Sequence, residues 1–395
     1  MNKQKQAVIY GAGNIGRGFI AQLFYESGYE TAFIDVNKDL INLINDKKEY
    51  PIKFVDDDYS REIMIKNIRG IDGSPENSPE VSEIISKADI MATSVGVNIL
   101  KFIMKPVADG INKRFRDNNF TPLNIILCEN SIDSDRIMRD GVFEYIDENY
   151  KDLYNEKIGF SQASVSRTVP VQTYEMKNDN PLRIVTEDYK YLYVDKAGFK
   201  GDKIPEIKNI IAYSPFKYYI ERKLFVHNMG HAVFAYLGDI AGYEYLWQSV
   251  NDEYIKEIAE KAMRYSGMAL EKIYGEFDFA CIDDLIHRFS NKMLGDTVNR
   301  VGIDLKRKLS PNDRIIGAYK ICLENNLPVN YLCLAIAAAV NFKGDKLSGK
   351  SPDEILKEAD SFDLIAGNPE NYALIQKFDN AIKSGANVKD LRGMI

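Results

Sequence analysis

Residues 6–20 read QAVIYGAGNIGRGFI, and this stretch decides the fold. Gln6–Tyr10 is a short apolar run, rich in β-branched and aromatic residues, that leads directly into the glycine turn Gly11-Ala-Gly-Asn-Ile-Gly16. Arg17–Ser27 then carries Phe19, Ile20, Leu23 and Phe24, a helical spacing that stops at Gly28. Thr31–Val36 is a second strand closing on Asp35. Strand, glycine turn, helix and strand make one βαβ unit, whose crossover is right-handed in nearly all folds.

Working outward, the alternation continues. Ala88–Val95 reads as a strand ending at Ser94, Val95 and Gly96, and Leu123–Cys128 as another ending at Glu129 and Asn130. Both are apolar on both faces, as buried parallel strands are. Ile158–Val165 and Leu182–Val194 are further β-rich stretches. Beyond Pro205 the periodicity becomes helical, over Tyr219–Leu237, Asp252–Tyr274, Ile282–Met293, Asp313–Glu324, Tyr331–Phe342 and Pro352–Ala359. The expected class is therefore α/β. A Rossmann-type doubly wound sheet domain over residues 1–203 precedes an all-helical substrate and catalytic domain over 204–395. At 395 residues with 45% hydrophobic content, the chain exceeds the ~250–300 residues at which single cores stop growing.

The formal net charge of −7 argues against general nucleic-acid binding, which needs a concentrated basic face. No opening stretch has the order of a secretion signal, and no apolar run nears the ~20 residues that span a bilayer. No membrane partner is expected, and a cytoplasmic location is the expectation. Cys128, Cys281, Cys322 and Cys333 are scattered without a close pair, so they read as buried thiols in a reducing compartment. No metal site is expected.

In its context the glycine turn suits a dinucleotide. Gly11 permits the tight turn, Gly13 lets backbone approach a pyrophosphate, and Gly16 lets helix and strand pack closely. Asn14 and Ile15 within the turn, and Ser94 and Val95 after the later strand, belong to the same expected cofactor site. A pyrophosphate would lie on the helix N-terminus, where free N–H groups and the dipole favour negative charge. Asp35 would accept hydrogen bonds from the adenine ribose and repel a 2′-phosphate, which favours NAD over NADP. FAD and S-adenosylmethionine proteins use similar turns, and the turn by itself does not separate them.

A second stretch, Glu221-Arg-Lys-Leu-Phe-Val-His-Asn-Met-Gly-His231, opens the helical part. At ~100° per residue, Lys223, His227, His231 and Asn228 fall at roughly 0°, 40°, 80° and 140°, within half the helix circumference. A lysine and a histidine beside a carboxamide suit proton transfer at a carbinol, because a desolvated lysine can act as base and an amide can donate to the oxygen. Such a stripe is more often a solvated face or packed histidine, so the spacing alone leaves the question open.

GAGNIGRGFI at the start, PLNIILCEN at 122–130 and ERKLFVHNMGHA at 221–232 resemble the polyol-specific long-chain dehydrogenases and their Lys-x4-Asn-x2-His signature. The likeness extends over Asp195–Gly201, HNMGHAVFAYLG at 227–238 and Leu294–Ser310, and is strongest to the branch acting on mannitol 1-phosphate. The resemblance implies a metal-independent, NAD-dependent enzyme interconverting D-mannitol 1-phosphate and fructose 6-phosphate. It implies that Lys223 is the general base or acid, that Asn228 and Asn130 form the oxyanion site, and that His231 holds the substrate hydroxyl and the lysine. It further implies that Arg300 and Lys308 bind the polyol chain. Lys306 and Arg307 join them as candidate phosphate cations. His227 is read as packing, and His287 has no partner spacing.

Where the family usually has an acidic residue before its Arg-Ile-x-Pro stretch, this chain has Ser166-Arg167-Thr168-Val169-Pro170, and Ile303-Asp304-Leu305 replaces the usual Arg-Gln-Pro pattern. These departures bear on the substrate, not the chemistry. An unphosphorylated polyol or a hexuronate is the alternative within that chemistry, and a non-catalytic dinucleotide sensor is the alternative outside it. A small-molecule ligand and a monomer or small homo-oligomer complete the expectation.

Overall fold

The computed structural model describes residues 4–395. Two compact units divide the chain, one ending at Lys217 and the other running Tyr218–Ile395. Among the described residues the first unit holds eleven strands: β1 (Gln6–Tyr10), β2 (Glu30–Asp35), β3 (Tyr50–Val55), β4 (Ser60–Ile65), β5 (Ile68–Asp72), β6 (Ile90–Thr93), β7 (Leu123–Leu127), β8 (Ile158–Ser164), β9 (Ile184–Thr186), β10 (Leu192–Asp195) and β11 (Ile210–Tyr213). Six of them form a parallel sheet in the order β5-β2-β1-β6-β7-β8, and β10 and β11 extend it past β8. Numbered within the sheet, that is the doubly wound order 3-2-1-4-5-6, with the reversal of direction between β1 and β6. β10 runs antiparallel to β8.

Side-chain alternation along the strands supplies both faces. Ala7 and Ile9 of β1 join a core with α1 (Ala21–Glu26) and α2 (Lys38–Lys47). Val8 and Tyr10 point the other way, into a core with α3 (Ser78–Lys87), α4 (Leu100–Arg116) and α5 (Ser134–Phe143). Each fully buried phenylalanine, such as Phe19 or Phe115, contributes about 1.5–3 kcal/mol against exposure.

The structure departs from the sequence expectation in three places. β3 and β4 form an antiparallel hairpin, and β9 pairs with β3 in a separate three-stranded sheet. The run Leu182–Val194 is therefore two strands in different sheets. They are parted at Glu187 and Asp188, whose carboxylates take Thr168 N–H and the Arg61 guanidinium. β11 pairs with β10, so the division falls after Lys217 rather than after Lys203.

The second unit is helical among the described residues, apart from one isolated bridge, Tyr245 to Thr297. Its helices include α6 (Met229–Ala241), α7 (Glu253–Tyr274), α8 (Ala280–Phe289), α9 (Val298–Gly302), α10 (Leu305–Lys308), α11 (Arg314–Glu324), α12 (Asn330–Val340) and α13 (Pro369–Lys383). α13 escaped the sequence reading because only Ile375, Phe378 and Asp379 of its fifteen residues are buried, too thin a stripe to show periodicity.

The turn after β1 is closed by contact. A Cβ at Gly16 would lie 2.1 Å from the Gly11 carbonyl oxygen, whereas one at Gly13 meets nothing within 4 Å. Gly16→Ala is thus expected to cost about 2 kcal/mol and to lower Tm by roughly 5 °C, while Gly13→Ala stays within about 0.5 kcal/mol of the parent in thermal denaturation. Equal Tm values for the two variants would refute this account of the turn.

Candidate functional site

In the first unit, three strand ends meet at the glycine turn. Gly11 N–H donates to Ile34 O at 2.8 Å, and the Ser94 hydroxyl donates to Gly11 O at 3.0 Å. Ala12 N–H donates to one Asp35 carboxylate oxygen at 2.7 Å, and Asn37 N–H to the other at 2.9 Å. Asp35 thus braces the turn, with lone pairs left over for a ligand. Gly11 has φ +102°, a conformation in which L side chains are strained.

A cavity of about 710 Å³ opens here, lined by Tyr10, Gly11, Gly13, Asp35, Ser94 and Val95, with Val36, Ile99, Phe102 and Pro106 as an apolar wall. Val36 and Phe102 are 69% and 65% exposed, apolar surface that a flat ring system would cover. Five of the eight residues expected at the cofactor lie on this cavity. Asn14, Ile15 and Gly16 do not. The Asn14 amide donates to Pro170 O at 3.2 Å, Ile15 packs on the sheet core, and Gly16 meets the Gly11 backbone.

Glu129 and Arg17 had no expected role, and both hold the turn region. The buried Glu129 carboxylate accepts from Thr93 Oγ1 at 2.7 Å and Val95 N–H at 3.1 Å, and burial pushes its pKa up. It ties the end of β7 to the Ser94–Val95 turn. Asn130, the next residue, is exposed. Arg17 is buried and donates to Ala12 O and Leu182 O, both at 2.7 Å.

The Ser166–Pro170 stretch is fastened to the glycine helix. Arg167 is buried over the Phe19 ring and donates to Gly18 O at 2.8 Å and Gln22 Oε1 at 2.7 Å. Burial lowers its pKa to about 9, against the opposing charges of Glu187 and Asp188.

In the second unit, the lysine stretch is not an α-helix throughout. Lys223–Asn228 is a π-helical segment that runs into α6, with Met229 N–H bonded to Leu224 O. The wider i→i+5 turn removes the 100° step assumed from sequence, so Asn228 sits about one turn above Lys223 rather than roughly 140° around from it. Lys223 and Asn228 are half-buried.

His231, on the first turn of α6, is fixed from two directions. Its Nε2 lies 3.1 Å from an Asp296 carboxylate oxygen, and its face stacks on Phe289 with ring centres 4.7 Å apart and planes at 25°. Asp296 also receives the Arg300 guanidinium through two bonds of 2.6 Å. No expectation included Asp296. Its signal in the sequence was the i,i+4 spacing to Arg300 in Gly295-Asp-Thr-Val-Asn-Arg300, which fits a surface pair equally well.

Burial lowers the His231 pKa, more than the Asp296 partner raises it, so the imidazole is neutral at pH 7. Burial opposes ionisation of Asp296, but the His231 and Arg300 contacts outweigh it and hold the carboxyl well below its usual range. His227 meets Phe289 edge-on at 5.3 Å, and burial lowers its pKa well below 6.5, followed by Arg288. Lys308, at the end of α10, is buried with its amine donating to Val301 O. Burial, then Arg314 and Arg307, bring its pKa down to about 7. Arg307 is engaged by Asp304 and Asp313.

Among the described residues, no three His, Cys, Asp or Glu side chains are grouped to hold a metal ion, and no helix is long and apolar enough to cross a membrane.

Comparison with known proteins follows the two-unit division. Residues 5–209 match the mannitol dehydrogenase Rossmann domain, and 216–358 match the mannitol dehydrogenase C-terminal domain. The mannitol-1-phosphate 5-dehydrogenase of Thermoanaerobacter pseudethanolicus is 36% identical over 383 residues, covering 94% of this chain and 96% of that protein. The protein of the same name from Oceanobacillus iheyensis is 38% identical, covering 87% and 88%. The mannitol 2-dehydrogenase of Pseudomonas fluorescens, solved as a ternary complex with NAD and D-mannitol, is 13% identical. It shares the fold with a TM-score of 0.74 over 99% of this chain and 94% of that one. The chain belongs to the mannitol dehydrogenase family of oxidoreductases.

Proposed function

We propose that this protein is a metal-independent, NAD-dependent mannitol-1-phosphate 5-dehydrogenase, interconverting D-mannitol 1-phosphate and fructose 6-phosphate. The observation that carries the reading is 36% identity sustained over 94% of the chain with a relative of that name. The first unit is the cofactor unit and the second the substrate and catalytic unit.

The first unit's residues fit a dinucleotide. Gly13 has open space beside its backbone, the turn begins a helix, and the 710 Å³ cavity joins a carboxylate to an apolar wall. Gly11, Gly13, Ser94 and Val95 would hold the cofactor, and Asp35 its ribose hydroxyls. When bound, NAD supplies the hydride acceptor for polyol oxidation and, reduced, the donor for the return reaction.

The chain's own work is proton transfer and orientation. In oxidation Lys223, as the amine, takes the carbinol proton, and in reduction its ammonium returns one. The carboxamides of Asn228 and Asn130 donate to the oxygen as charge grows on it. His231 holds the hydroxyl and the lysine in register. Arg300 keeps N–H donors beyond the two spent on Asp296, and with Lys308 binds the polyol chain.

Three measurements test this reading. With NAD, kcat/KM for mannitol 1-phosphate is expected to exceed that for mannitol and for altronate by at least ~10²-fold, since a charge-paired phosphate is worth several kcal/mol. Equal values would remove the phosphate from the proposal. Lys223→Ala should lose ~10²–10⁴-fold in kcat while still binding NADH, and unchanged turnover would end its role as base. Asp35→Ser, which keeps an acceptor for the turn but drops the charge, should shift the NADP-to-NAD ratio of kcat/KM upward by about tenfold or more. An unmoved ratio would exclude Asp35 as the selector.

A further inference from the structure

The proposed mechanism uses His231 but leaves the carboxylate behind it without a role. We propose that Asp296 is a positioning residue that fixes His231 in the tautomer with its proton on Nε2, so that the Nδ1 lone pair is the acceptor offered to the substrate hydroxyl or the Lys223 ammonium. This rests on the role given to His231 above.

The geometry argues it in three steps. Arg300 grips both carboxylate oxygens at 2.6 Å, and Asp296 is nearly buried, so it is ionised and only accepts hydrogen bonds. A histidine nitrogen 3.1 Å from such an oxygen must carry the proton. In a neutral ring the other nitrogen then has the lone pair.

The carboxylate cannot drift from this position. Asp296 O accepts from Leu246 N–H at 2.9 Å, and Val298 N–H donates to Glu244 O at 2.9 Å, tying both sides of the turn to one segment. Thr297 caps α9 by accepting from Arg300 N–H at 3.2 Å, which seats the guanidinium. Phe289 stacked on the imidazole prevents the ring from tipping out of plane with the carboxylate. A surface ion pair serving only helix stability needs neither the histidine contact nor a fixed ring.

The isosteric variant Asp296→Asn releases the arrangement. Arg300 holds both positions at the same distance, so the new amide takes either orientation, and in one of them its N–H₂ stands where the oxygen shared with His231 Nε2 was. A donor there requires the lone pair on Nε2 and moves the proton to Nδ1.

The test is long-range ¹H–¹⁵N spectroscopy of the full-length protein at pH 8 with labelled histidine. Only three histidines must be resolved, and His231→Gln assigns the signal. The wild type is expected to show His231 protonated on Nε2, and Asp296→Asn to show a share of it protonated on Nδ1. The variant's kcat should fall severalfold or more, in step with that share, with KM changed less than about tenfold and NADH affinity and Tm close to the parent.

A wild-type His231 protonated on Nδ1 would overturn the proposal, and needs no variant to fold. So would an Asp296→Asn protein that keeps its kcat, or one that loses it with the tautomer unchanged. The tautomer is read without substrate. Expected spectra together with no turnover of mannitol 1-phosphate would therefore sink the substrate assignment and leave Asp296 in its role.

Discussion

The carbonyl of Gly11 is the point on which the first unit turns. The Ser94 hydroxyl donates to it and Gly16 packs against it, while the N–H groups of Gly11 and Ala12 reach back to β2. Four backbone or hydroxyl groups at a buried strand end need partners, and this arrangement supplies them without water. The same contacts leave the backbone beside Gly13 bare. A doubly wound sheet opens a crevice where its strand order reverses, and here the reversal, the bare backbone and Asp35 coincide.

How much of this was legible depends on what the residues had to satisfy. β1, β6 and β7 are buried on both faces, so apart from Asn124 in β7 their sequences are largely apolar and their places along the chain were readable. β4 is half exposed, with Ser60, Arg61 and Glu62 on its outer part, and reads as loop. β11 is nowhere buried and is held as a strand only by its bonds to β10, a tertiary fact with no local signature. That strand is also why the division lies further along the chain than composition suggested.

The site was legible as residue types and not as geometry. Lysine, asparagine and histidine were visible in order, but the π segment that carries the first two was not. One extra residue per turn over six positions leaves no periodicity to detect. A second π segment, Gly16–Ile20, opens the glycine helix, with Ala21 N–H bonded to Gly16 O. The first segment leaves Lys223 and Asn228 half-buried, whereas all five residues of the second are buried. Asp296 was missed for a different reason. Its partners are His231, 65 residues away, and Arg300, four away, and only the near one can be guessed from spacing.

The cations of the second unit are not equally free to meet an anion. A buried carboxylate left alone costs several kcal/mol, so Asp296 claims Arg300 before any ligand does, and the pair adds no net charge. His231 is neutral, and Arg307 is spent on Asp304 and Asp313. Lys308 differs in kind. Burial and two neighbouring guanidinium groups hold its pKa near 7, so at neutral pH it sits between amine and ammonium. An incoming anion would favour the ammonium, taking up a proton and relieving the repulsion from Arg307 and Arg314. The destabilisation built into Lys308 is therefore stored in the ligand-free protein and released by negative charge. That suits the phosphorylated polyol proposed above better than a neutral one.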